Sequence, residues 1–323
     1  MKFITAAIIS FFFILNIHAQ SGVNYDIVLN GGRVMDPESG LDAIRNVGII
    51  GDKIAEISAA DLQGKRVIDV TGHVVAPGFI DLHVHGMTNR AHVYQARDGV
   101  TTALELEGGI AFLREWIEAK RGKSIVNYGA TVPHGNLRAL AMKEYSHYID
   151  EARKIIETEG FESPKLMKIM INMARSGYQP LSDQAMVRLK AMINKEMESG
   201  ALGIGVPVGY YPGATHGEIY RIYEMAAEKQ APIFSHTRGF GMPGIQEAIA
   251  NATSSGAPLH IVHANSLSLG EIQVTLDMVA SAQERGLDVT TEVYPYTAAS
   301  TSLESAIFDE GWQEKLGISY GDI

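Results

Sequence analysis

From residue 74 onward the chain alternates strand-like and helix-like segments, and this rhythm constrains the fold more than any other feature. Strands are predicted at 74–85, 99–107, 124–132, 201–208, 232–237, 259–264 and 288–294. Between them lie helical stretches such as 182–199, where Met186, Leu189, Met192, Ile193 and Met197 recur at helical spacing, and 216–229, 243–255 and 270–285. Strands separated by amphipathic helices imply a parallel sheet with right-handed crossovers. Seven such units predict a (β/α)8 barrel lacking its last strand. A doubly wound sheet is the alternative, and no G-x-G-x-x-G loop follows an early strand to support it.

Ahead of the barrel, residues 23–72 read as short strands broken by Gly, Asp and Pro turns, as at Asp36-Pro37 and Gly51-Asp52. A small antiparallel sheet is expected there, a β-sandwich part over 21–73 with the barrel over 74–323. Residues 1–20 have the layout of a secretory signal peptide: Lys2, an apolar run over 4–17, then His18-Ala19-Gln20. That run is short of the ~20 residues a membrane span needs, so cleavage after Ala19 or Gln20 and a periplasmic or secreted protein with no stable membrane span are expected. The chain has no Cys, which removes disulfides and thiolate ligands. A formal charge of −10 argues against a nucleic-acid partner.

In a parallel barrel, active sites form at the C-terminal ends of the strands. The first strand ends in His83 and His85, and a spacing of two puts both imidazoles on one face. Two adjacent imidazoles are half a ligand set for a borderline metal such as zinc. The second strand ends in Glu105 and Glu107, the fifth in His236, the sixth in His263 and the seventh in Glu292. Several histidines and a carboxylate converging on one rim would leave polar atoms unpaired unless they share an ion. His260, three residues before His263, faces away by strand parity and reads as packing. His73, His92, His147 and His216 read as structural or surface residues.

The phrase VVAPGFIDLHVHG at 74–86 resembles the first barrel strand of the amidohydrolase superfamily. Further phrases look like its N-acyl-D-amino-acid deacylase (D-aminoacylase) branch: GVTT at 99–102, PHGNLR at 133–138, GALGI at 200–204, YYPG at 210–213 and EVYPYTAAST at 292–301. The likeness runs from about residue 25 to the end of the chain. It implies a metal-dependent amide hydrolase binding one or two zinc ions. His83 and His85 would hold one site, His236 and His263 the other. The resembled branch commonly has a cysteine at the end of strand two; here Glu107 would take its place, with Glu105 as the fallback.

The resemblance also implies a small-molecule substrate, foremost an N-acyl-D-amino acid. Tyr211, Arg238, Tyr294, Arg138 and His134 are the candidate substrate contacts. Asn265 stands where the family often has a lysine able to pair with a substrate carboxylate. No strand-four lysine suits the hydantoinase branch, although cyclic amide hydrolysis remains the enzymatic alternative. In the resembled family an Asp at the end of strand eight takes the proton from the attacking water and returns it to nitrogen. The tail containing Asp309 and Asp322 matches an insertion after strand seven instead, so the catalytic base is expected to lie outside the chain. The 323 residues therefore read as a C-terminally shortened member, expected to turn over near background. A non-catalytic metal-binding relic is the alternative.

Overall fold

The computed structural model describes residues 23–323; the expected signal segment lies outside the described residues. The chain divides into two units, one ending at Gly78 and one spanning Phe79–Ile323. Among the described residues no helix is long and apolar enough to cross a membrane.

The first unit is built on strands β1 (Asn24–Asp36), β2 (Leu41–Ile50), β3 (Lys53–Ser58), β4 (Gln63–Asp69) and β5 (Val74–Val75). β1–β2 and β2–β3 pair antiparallel, but β4 and β5 both run parallel to β1. The expected antiparallel sandwich is thus, among the described residues, one mixed five-stranded sheet. Gly31-Gly32 lies in a bulge within β1. Gly31 there takes φ 77° and its N–H donates to Oδ1 of Asn46 at 2.8 Å.

The second unit carries β6 (Phe79–Asp81), β7 (Val100–Glu105), β8 (Asn127–Ala130), β9 (Val132–Pro133), β10 (Ile204–Pro207), β11 (Ile233–His236), β12 (Leu259–Ile261) and β13 (Val289–Thr291). Every pairing among them is parallel: β6-β7-β8 in one run and β9-β10-β11-β12-β13 in the other. β8 and β9 are successive segments of one strand. Thr131 N–H donates to Glu105 O on one side at 3.1 Å, and Leu202 N–H to Ala130 O on the other at 3.0 Å. The result is a run of seven parallel strand positions, as the sequence rhythm predicts.

Each residue of β10, β11 and β12 is buried, as expected for parallel strands covered on both faces. Ile204, Val206, Ile233, Leu259, Ile261 and Val289 join one core with Leu189, Ile193, Ile219, Ile222 and Ile245 of the surrounding helices. Those helices hold close to their predicted bounds, Asp183–Glu198, His216–Glu228, Met242–Ser255 and Ile272–Glu284. Caps fix where they begin: the hydroxyls of Ser182 and Thr215 accept from Ala185 and Glu218 N–H. The expected strand 74–85 is shorter, because Pro77 and Gly78 divide it into β5 and β6. At the outer strand β6, Phe79 and Ile80 are 61% and 63% exposed.

Candidate metal centre

Parallel strands send their C-terminal ends to one rim, and there the structure brings His83, His85, Glu107, His236 and His263 together. Glu107 is the hub. Its Oε2 lies 3.0 Å from Nε2 of His83 and 3.1 Å from Nε2 of His85. Its Oε1 lies 2.6 Å from Nδ1 of His236 and 3.4 Å from Nε2 of His263. One carboxylate therefore divides four imidazoles into two pairs.

The spacing within each pair suits an ion. Two nitrogens bound to a tetrahedral zinc at about 2.0–2.1 Å each stand roughly 3.3 Å apart. Nε2 of His83 and Nε2 of His85 are 3.3 Å apart, and Nδ1 of His236 and Nε2 of His263 are 3.1 Å apart. The ligand atoms of His83, Glu107 and His263 all lie within 4.8 Å of one another.

A further layer holds the rings. Nδ1 of His83 meets Oε1 of Glu292 at 2.7 Å, and Nδ1 of His85 meets Oε2 of Glu105 at 2.7 Å. Glu105 is thus turned away from the ligand position: its other oxygen accepts the Gly108 N–H at 2.9 Å. Nδ1 of His263 faces the Ser266 hydroxyl at 3.0 Å. His263 itself sits in the left-handed region at φ 31° and ψ 55°, a conformation that costs a non-glycine residue energy and recurs at functional sites. The Ala264 N–H donating to Glu292 O at 2.8 Å helps to hold it there.

Electrostatics follow from this packing. Burial alone would raise Glu107, but the surrounding imidazoles, His236 foremost, hold it far below the usual carboxylate range. Burial alone would lower His83, yet Glu107 and Glu292 raise it to about 9. Glu105 and then Glu107 raise His85 to about 10. Complete burial pushes His236 down. Glu292, despite burial, is held at about 2 by His260 and His83.

The expected substrate contacts fare differently. Arg138 has no exposed surface. It donates to Glu218 at 2.8 Å, to Ser176 O at 2.6 Å and to Gln179 O, so it is committed inward and cannot meet a substrate. Nε2 of the equally buried His134 pairs with the same Glu218 oxygen at 3.0 Å. Burial would raise Glu218, but His134 and Arg138 hold it below its ordinary value. Arg238 grips Glu247 at 3.0 Å and also donates to Ala214 O. Tyr211 packs against His134, 6.2 Å between ring centres, and burial raises its hydroxyl to about 12. These four residues brace the rim.

Its neighbour Tyr210, passed over in the sequence, is the tyrosine on the metal centre. Its ring lies 4.7 Å from that of His236, and its hydroxyl is 3.2 Å from that of Thr301. The YYPG phrase marks the pair, but only the turn Val208–Tyr210 decides which ring faces inward. Tyr294 lies on the same rim with its backbone clamped by the Asn265 amide, 3.4 Å on both the N–H and the C=O side. Asp309 accepts from the Tyr178 hydroxyl at 2.9 Å. His260 is more than packing, because its Nε2 lies 3.4 Å from Oε2 of Glu292.

A rim of parallel strands that gathers four histidines around one carboxylate is an arrangement able to hold a metal ion. No protein-family model matches the chain. Among curated proteins it is similar to the N-acyl-D-glutamate deacylase of Alcaligenes xylosoxydans xylosoxydans. The two are 25% identical over 293 residues, 86% of this chain and 58% of that protein. It is also similar to the D-aminoacylase of the same organism, 25% identical over 308 residues, 87% of this chain and 59% of that protein. Among solved structures it resembles N-acyl-D-glutamate deacylase from Bordetella bronchiseptica, complexed with zinc and a phosphonate inhibitor. The TM-score is 0.66 at 20% identity, covering 85% of this chain and 59% of that one. The chain is thus similar over most of its own length to N-acyl-D-glutamate deacylase and D-aminoacylase, and it spans about three fifths of theirs.

Proposed function

We propose that the protein is a zinc-dependent amidohydrolase acting on N-acyl-D-amino acids, with His83, His85, Glu107, His236 and His263 as ligands. The observation that carries this reading is the shared carboxylate: Glu107 stands between two imidazole pairs whose nitrogens are 3.3 and 3.1 Å apart. One or two ions fit that arrangement. Homology to N-acyl-D-glutamate deacylase and D-aminoacylase supports the substrate class. The zinc and the phosphonate mimic of a tetrahedral intermediate in the Bordetella enzyme support both the metal and attack at an amide carbonyl.

A zinc ion held by these residues would supply Lewis acidity toward an amide carbonyl and toward water. The chain's own residues supply orientation. Glu292 and Glu105 hold the Nδ1 protons of His83 and His85, which leaves both Nε2 lone pairs to face the ion. The Tyr210 ring packs against that of His236 at 4.7 Å between centres.

The test is hydrolysis of acetylated D- and L-amino acids and of hydantoins by the zinc-loaded protein extended to the full length of its relatives, since the chain alone is expected to turn over near background. D-selective release of the free amino acid supports the reading. Hydrolysis of the cyclic amides alone would overturn the substrate class, and tight zinc binding without any turnover would favour a non-catalytic metal protein. The apolar run at 4–17 supports export, to the periplasm or the medium; N-terminal sequencing of the mature protein, expected to begin just after Ala19 or Gln20, checks it.

A further inference from the structure

Glu292 reaches across from β13 to the histidine that follows β6, and its polar contacts go to both halves of the metal centre. Oε1 lies 2.7 Å from Nδ1 of His83 and 3.3 Å from the backbone N–H of His263. Oε2 faces Nε2 of His260 at 3.4 Å, and Nδ1 of His260 meets the Thr290 hydroxyl at 2.8 Å. The Thr290 hydroxyl also reaches Leu259 O at 3.5 Å, and the buried Nε2 of His260 has Glu292 as its carboxylate neighbour at ion-pair distance. The backbone of Glu292 is pinned as well. Its N–H donates to Ile261 O at 3.3 Å and its C=O accepts from Ala264 N–H at 2.8 Å.

We infer that Glu292, braced by His260, is a positioning residue for the metal centre: it fixes the ring of His83 so that Nε2 faces Glu107. The inference rests on the metal reading above. An imidazole that gives Nε2 to an ion must carry its proton on Nδ1, and an acceptor there fixes both the tautomer and the ring plane. Glu105 serves His85 in this way, and Glu292 serves His83. Glu292 is not itself a ligand, because its oxygen meets the nitrogen turned away from the cluster. Its bond to the His263 N–H, at a residue in the left-handed region, extends the same hold to the second pair. His260 is the outermost link, keeping Oε2 in place while Oε1 does the orienting.

The experiment compares the wild-type chain with Glu292→Gln and His260→Gln. Zinc affinity is read by competition with a chromophoric chelator, geometry by the visible spectrum of the cobalt-loaded protein, and folding by thermal melting of the metal-free protein. Loss of an outer-layer partner typically weakens binding about 10–100-fold. Glu292→Gln is therefore expected to weaken zinc binding in that range and to change the cobalt spectrum. His260→Gln should do the same to a smaller degree. Wild-type affinity and spectrum in both variants, with or without a lower melting temperature, would overturn the inference. If Glu292→Gln does not fold, unchanged affinity in His260→Gln overturns it alone. Failure of the wild-type chain to bind zinc would remove the metal reading and this inference together, whereas zinc binding indifferent to both variants removes only the inference.

Discussion

Glu107 and His236 are buried together, with Oε1 of the carboxylate 2.6 Å from Nδ1 of the ring. An ionised carboxylate under that much cover is costly unless it is paired on every side, and the four imidazoles supply that pairing. Glu107→Gln puts an amide N–H₂ where one pair of nitrogens expects an acceptor. Zinc affinity should fall by more than about 100-fold, beyond the range of an outer-layer loss, as measured by chelator competition. Retained affinity would mean that Glu107 is not a ligand.

Gly205 of β10 packs against the backbone that presents this carboxylate. A Cβ there would stand 2.2 Å from Glu107 O and 2.8 Å from Leu106 O. Neither carbonyl has room to yield without moving the strand end. Gly205→Ala should cost about 1–3 kcal/mol of stability by overpacking and also weaken zinc binding. Denaturant melts and zinc titration of the same sample check both effects; lost stability with unchanged affinity would show that Glu107 is held independently of this contact.

Arg138 separates a bracing role from a substrate-binding one. Its side chain pairs with Glu218, which without it would keep only the His134 imidazole as a charged partner among the described contacts. Removing one partner of a buried ion pair costs about 3–5 kcal/mol, because the other charge is left stranded. Arg138→Leu should therefore unfold at much lower urea concentration, while the folded fraction keeps wild-type zinc affinity. A substrate contact would instead leave stability intact and raise KM.

His92 gives the fold an acid-sensitive element away from the metal. It has no exposed surface, its Nδ1 meets the Ser124 hydroxyl at 2.7 Å, and burial followed by the nearby Lys120 charge lowers it to about 4. With an unfolded value of 6.5, both states are neutral above that pH and the residue contributes no pH dependence. As pH falls from 6.5 towards 4, the unfolded chain takes up the proton and the folded one does not. Stability then drops by about 1.4 kcal/mol per pH unit, to a total of about 3 kcal/mol. Urea melts across this range should show the slope in the wild type and a flatter profile in His92→Gln. Equal slopes in the two proteins would assign the acid sensitivity elsewhere.

The barrel was legible because two periodicities are hard to disguise. Apolar residues at helical spacing between 182 and 199 gave the helix Asp183–Glu198 almost residue for residue. Strand parity likewise put His83 with His85 and Glu105 with Glu107. Parity could not separate the two glutamates; the Gly108 N–H does so by capping Glu105. Nor could the sequence reveal that Arg138 is spent on Glu218, 80 residues away. The choice between Tyr210 and Tyr211 rested on a single turn, Val208–Tyr210, and adjacent residues in a turn carry no period from which to read their direction. His260 was misread because parity describes a strand, whereas its partner Glu292 comes from beyond the next one.

The most direct test of the account is anomalous diffraction at the zinc edge from crystals of the zinc-loaded protein. It predicts density beside Glu107, between Oε2 and the Nε2 atoms of His83 and His85, between Oε1 and the His236 and His263 nitrogens, or at both. A zinc-loaded crystal with no anomalous peak within bonding distance of Glu107, or with zinc bound only at other residues, would contradict it.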